Sequence, residues 1–234
     1  MTSSEVGGRD HGEPTIAEDL MLVLFEPRTG HIHGEGTLFY PLAGAILSEL
    51  ALDERIALDQ SRSALSAAVT ASGEPPADPL LQDTWDRIAA KPQRVHTLLA
   101  AVGPSLRTPV LDRLVENGHV TRSKGRFLKI FPTTTLADGG TGRRQVLMEQ
   151  LRPVFVDGVE PNPRIAVIGA LLSANGSLYA LHREIPWSGD VHRRGKQLEK
   201  GDWGAQGVGR AVGLAAATVA LTSVTSAAAI ASTS

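Results

Sequence analysis

Four cations fall close together at Arg122, Lys124, Arg126 and Lys129, and they are the residues whose type and spacing most plainly carry chemistry. Phe127, Leu128, Ile130 and Phe131 lie among them, so a chain folded back here presents positive charge beside apolar surface. Guanidinium and ammonium groups in such a cluster can hold phosphate oxygens. The local chemistry fits a lipid headgroup, a nucleic-acid backbone or another subunit. Other candidate groups are less organised. His31, His33 and Glu35, in RTGHIHGEG, can ligate a metal, yet the spacing fixes no further ligand. A solvated Gly-rich loop is the simpler account. Glu49 is a possible general base, but a lone glutamate on a helix usually marks its solvated edge. Asp83 and Asp86 share one helix without the tighter carboxylate clustering that magnesium-dependent prenyl-diphosphate chemistry needs. No Walker loop or nucleophile elbow occurs, and the Gly-rich stretch from Gly201 to Gly213 lacks a preceding strand. No catalytic constellation, metal site or cofactor is expected.

The basic cluster needs an element to hold it. Upstream, Val110, Leu111, Leu114 and Val115 recur at helical spacing, with Pro104 and Pro109 placed in a first turn. Asn117-Gly118 is a helix stop. Strands His119 to Arg122 and Arg126 to Phe131, joined by a turn at Ser123-Lys124-Gly125, would complete a helix and basic hairpin. Elsewhere the pattern is helical. Thr15 and Glu18 form a capping-box pair ahead of the apolar run Leu20 to Phe25. Leu38 to Leu52 predicts a helix in which Ala43, Gly44 and Ala45 admit a neighbouring backbone. Residues 53–60 resemble a turn and a short strand. A Pro-rich connection, Ser72 to Leu80, precedes a helix carrying Leu81, Trp85, Ile88 and Ala89. Further helices are predicted over Gln145 to Val156 and Ile165 to Leu181, followed by a solvated charged face from His182 to Lys200.

With 234 residues, the chain has ample material for a core. Aromatics are 4% of residues, which favours helices over a β-sandwich. A formal net charge of −2 gives no global attraction to polyanions, so phosphate binding must come from a local patch. No cysteine is present, which excludes disulfides and thiolate zinc sites. Residues 1–14 are polar and read as a disordered tail. The end, Ala211 to Ser234, is uncharged and long enough to span a bilayer, but mostly Ala, Thr and Ser. A buried small-residue helix explains it better.

In segment order the chain resembles the Golgi phosphoprotein 3 family, whose bacterial members are widespread. The resemblance runs from about Ile16 to the C-terminus. It is carried by TIAEDLMLVLFEPRTG, LAGAILSELALDERI, LRTPVLDRLVENGHVTRSKGRFLKIFPTTT, NPRIAVIGALLSANG and the Ala-rich last helix. It implies a mainly α fold: one helical domain, residues 15–234, with a bundle around a buried Ala-rich C-terminal helix and one projecting basic β-hairpin. It also implies a peripheral membrane protein like the phosphatidylinositol 4-phosphate-binding adaptors, cytoplasmic and attached to the inner face of a membrane. Client proteins and self-association through the hairpin belong to the same implication. Of the family's pocket positions, one arginine matches Arg107, while the others fall on Pro104, Ala43 and Gly34. Arg107 would then bind phosphate with help from Arg122, Lys124, Arg126, Lys129, Arg143 and Arg144; alternatively it forms a salt bridge with Asp112 or Glu116. Two other readings compete. A winged-helix nucleic-acid binder shares the helix-and-wing pattern, although its helix here has few basic residues. An enzyme acting on a phosphorylated or prenyl lipid would share the basic cleft.

Overall fold

A computed structural model describes residues 12–58, 67–127, 131–201 and the helical positions Gly213, Ala216 and Val219. The fold is mainly α, with small antiparallel sheets. Helix α1 (Ile16–Leu24) is buried on every side. Its capping box forms as expected: the Glu18 N–H donates to Thr15 Oγ1 at 3.3 Å, and the Thr15 N–H donates to Glu18 Oε2 at 2.8 Å. Around it pack α2 (Phe39–Leu52), α4 (Val95–Glu116), α5 (Arg143–Val156) and α6 (Pro163–Ala174). Helix α3 (Pro79–Ala90) lies on α2, and α7 (Gly189–Glu199) covers α5 and α6. Among the described residues, three sheets complete the fold. Strands β1 (Phe25–Glu26) and β2 (His31–Ile32) pair, as do β3 (Ile56–Leu58), β4 (Ala68–Ala71) and β5 (Gln93–Arg94). The third is a hairpin of β6 (Val120–Phe127) and β7 (Phe131–Asp138).

The last helix enters at three described positions. Gly213, Ala216 and Val219 are helical and buried, a spacing that sets them on one face. The rest of Ala211 to Ser234 lies outside the described residues, as do residues 1–11 of the predicted tail. Pro14, at that tail's end, is held by Arg164, which donates to its carbonyl. Among the described residues, no helix is long and apolar enough to cross a membrane.

Several expectations need correction. The prolines do not open a helix at Pro104, because α4 already begins at Val95 and runs through both. Each proline deletes one main-chain bond, to the carbonyls of Ala100 and Ser105. Pro104, Pro109, Ala100 and Ser105 all sit on the exposed side, where water can satisfy what the helix leaves open. The hairpin turn is not Ser123-Lys124-Gly125. Those residues lie within β6, opposite Thr135, Thr134 and Thr133, and the pairing runs on to Phe127 and Phe131; residues 128–130 lie outside the described residues. The Thr run is good strand material, and full-length pairing outweighs a local glycine signal. The helix predicted to reach Leu181 stops at Ala174 and resumes as a 3₁₀ turn, Ser177–Leu181. The presumed Gly-rich loop at 28–36 contains β2, where Ile32 is buried against Phe25. At Gly44, the neighbours are side chains, Leu171 and Val219, rather than a backbone. The close backbone approach occurs on α4 instead. A Cβ on Gly103 would stand 2.5 Å from the Phe39 carbonyl oxygen of α2.

Candidate functional site

Three elements meet around an open cleft of about 650 Å³. One wall is the β1–β2 turn, Thr29 to Ile32. The second is the middle of α4, with Arg107, Thr108 and Leu111. The third is the hairpin, with Arg122 on β6 and Thr134 to Leu136 on β7. Gly30 lets the first wall close on the third. Its φ is +70°, and a Cβ there would lie 2.3 Å from the Leu136 carbonyl oxygen. Only glycine combines that backbone with that contact.

The cleft's cations come from different elements. Arg107 projects from α4 and pairs with Glu35, which stands on the 3₁₀ turn Glu35–Thr37. Arg122 donates to Asp112 Oδ1 at 2.7 Å. Both ion pairs remain partly open, with the Arg107 and Asp112 side chains 42% and 43% exposed. Each guanidinium therefore keeps donors available for a planar, multidentate anion such as a phosphate. Thr29, Thr108, Thr134 and Thr135 also line the cleft, while Ile32, Leu111 and Leu136 supply apolar lining.

The remaining predicted cations go elsewhere. Arg143 donates to Asp19 at 2.6 and 2.9 Å, and Arg164 reaches the same carboxylate at 2.6 Å. These residues border a second cleft of about 500 Å³ that shares no lining residue with the first. Arg144 is turned inward, donating to the Phe25 carbonyl at 2.8 Å and to Glu184 at 3.0 Å. Arg113 does similar work below α1: it holds Asp78 at 2.6 and 2.7 Å and Glu18 at 3.2 Å. At the hairpin's base, His119 Nδ1 lies 2.7 Å from Thr141 Oγ1. Burial, and then the Arg143 charge, holds its imidazole below the usual range. Lys124 and Arg126 lie on β6 opposite Thr134 and Pro132, and Lys129 falls outside the described residues.

Other candidates resolve differently. His31 and Glu35 border the cleft, but His33 turns away to Glu26 at 3.9 Å. Among the described residues, no group of three acids and histidines is placed to hold a metal. Asp83 and Asp86 are exposed on α3. Glu49 is not a solvated edge: its carboxylate accepts the Ile16 N–H at 2.9 Å and lies 3.7 Å from Arg164. Burial raises its pKa to about 7. The family-matched positions also separate: Ala43 is buried in α2, and Pro104 is exposed one turn before Arg107. The salt bridge expected for Arg107 with Asp112 or Glu116 does not form; Asp112 serves Arg122, and the partner is Glu35. Asp112 lies five residues on from Arg107, off the helical face that a three- or four-residue spacing would share. In the sequence, Glu35 reads only as a metal ligand. The Thr133-Thr134-Thr135 run was visible, but nothing local aimed it at Arg107.

No curated protein matches the chain. The family model for Golgi phosphoprotein 3 (GPP34) matches residues 16–215, from the first buried helix into the last. This is a non-enzymatic family of lipid-binding and adaptor proteins. On that match, the chain belongs to the Golgi phosphoprotein 3 family.

Proposed function

We propose that the chain is a peripheral membrane protein whose cleft takes the phosphate of an anionic phospholipid headgroup. The observation that carries this reading is the pair Arg107 and Arg122, brought from α4 and β6 to one 650 Å³ cleft. Half-exposed Glu35 pairs with Arg107. A phosphate would displace that carboxylate and gain charge-assisted hydrogen bonds worth about 1.5–3 kcal/mol each. Lys124, Arg126 and Lys129 add longer-range attraction at about 1 kcal/mol per cation near an anionic surface. The attachment is reversible, and it holds the protein on the cytoplasmic face of a membrane.

Co-sedimentation with vesicles of defined headgroups tests the reading. The wild type is expected to bind anionic vesicles at low salt, and Arg107→Ala to weaken binding about tenfold, the loss of one such hydrogen bond. Glu35→Gln should tighten it, since the competing charge is removed. Preference for phosphatidylinositol 4-phosphate, lost in Arg107→Ala, would narrow the ligand to that headgroup. Equal binding to all anionic lipids would leave a general electrostatic attachment. If anionic vesicles sediment without the protein at low salt, the proposal fails.

A further inference from the structure

Outside the cleft, the described surface carries an aromatic cluster with no internal role. Tyr179, on the 3₁₀ turn, is 60% exposed, and Trp187, just before α7, is 44% exposed. The two rings meet edge to face with centroids 5.6 Å apart. His182 stacks on Tyr179 at 5.5 Å, and His192 meets Trp187 at 5.9 Å. Holding four rings together in water gains little unless something covers them.

The cluster's position and charge indicate what does. Its 3₁₀ turn abuts the rim of the cleft: a Cβ on Gly34 would stand 3.1 Å from Ser177 Oγ, and the next residue, Glu35, is the partner of Arg107. The turn that carries Tyr179 therefore adjoins the rim of the headgroup cleft. Arg183, which lies between the two aromatics in sequence, is exposed, while the acids next in sequence are occupied. Glu184 is drawn inward to Arg144, and Asp190 pairs with Arg193. Exposed Trp and Tyr flanked by cations match the interfacial layer of a bilayer, where amphipathic rings sit at headgroup depth.

We infer that Tyr179 and Trp187 insert into the interfacial layer of an anionic phospholipid membrane while the neighbouring cleft engages a headgroup. This inference rests on the headgroup reading of the cleft. Insertion gives the protein an apolar anchor that salt does not screen, alongside an electrostatic one that salt does.

The test uses the full chain with vesicles of phosphatidylcholine and phosphatidylserine whose acyl chains are brominated near the headgroup. Tryptophan emission is expected to shift to the blue and to be quenched, and most of that quenching should vanish in Trp187→Phe. Tyr179→Ser/Trp187→Ser should weaken partitioning about tenfold, as expected for losing part of two aromatic burials. In Arg107→Ala, the fraction still bound should stay quenched. Equal quenching in wild type and Trp187→Phe overturns the insertion and leaves the cleft reading intact. So does vesicle binding that the double serine variant does not weaken. Sedimentation that reveals self-association abolished by the double variant, with no vesicle effect, reassigns the patch to a second copy and also overturns it. Binding of soluble inositol phosphates that depends on Arg107, without vesicle binding, refutes membrane insertion but not anion recognition.

Discussion

Buried charge makes single residues around α1 consequential. Glu18 is fully buried, and its carboxylate and that of Asp78 are held by Arg113. Arg113→Ala removes the guanidinium that contacts both Asp78 and the fully buried Glu18. Such a loss is expected to cost about 3–5 kcal/mol, read by urea denaturation. A change under 1 kcal/mol would mean that water replaces the guanidinium. Glu49 titrates the other way from most carboxylates. Burial lifts its pKa from 4.5 to about 7, so the folded chain binds this proton more tightly than the unfolded one. Its stabilising contribution is complete below about 4.5 and disappears as the pH rises through about 7. Glu49→Gln keeps the neutral form and can still accept the Ile16 N–H. Relative to wild type, the variant should therefore gain stability between about pH 5 and pH 8, by up to ~3 kcal/mol. Parallel stability–pH curves for the two proteins would show that Glu49 does not titrate in this range.

At the scale of elements, α4 decides most. It supplies Arg107 to the cleft, buries Leu98, Leu99, Leu106 and Val110, and approaches α2 at Gly103. The 2.5 Å distance from a Gly103 Cβ to the Phe39 carbonyl is too short to absorb without moving a helix. Gly103→Ala should destabilise by about 1–3 kcal/mol despite its higher helix propensity, whereas the same change at Gly36, where a Cβ meets nothing within 4 Å, should not. Thermal unfolding of the two variants separates packing from propensity. The helix itself was half legible. Apolar spacing and the Asn117-Gly118 stop located its C-terminal half, and Gly118 does adopt a φ of +71°. Its start was missed because proline reads as a boundary, and only burial shows that both prolines face outward. The hairpin's register was hidden for a related reason: cross-strand pairing is a sum over eight residue pairs, and no single turn residue reports it.

For the whole molecule, a net charge of −2 means that attachment to an anionic surface must be local. The two proposed anchors predict different salt behaviour. At about 1 M salt, where the screening length is ~3 Å, most vesicle binding should be lost, and the residue left over should depend on Trp187. Flotation at low and high salt, with and without Trp187→Phe, measures this. Complete loss in both proteins would leave the electrostatic anchor alone. Helical class, the α1 cap, the α4 stop and the presence of a basic hairpin were determined by sequence, because periodicity, capping and turn residues act within a few positions. Tertiary structure decided which cations share a site. Arg107 meets Glu35 across 72 residues, and Arg143 meets Asp19 across 124. A charge is left to bind a ligand only where the fold brings no buried carboxylate to it, and that is a property of packed helices rather than of any stretch of chain.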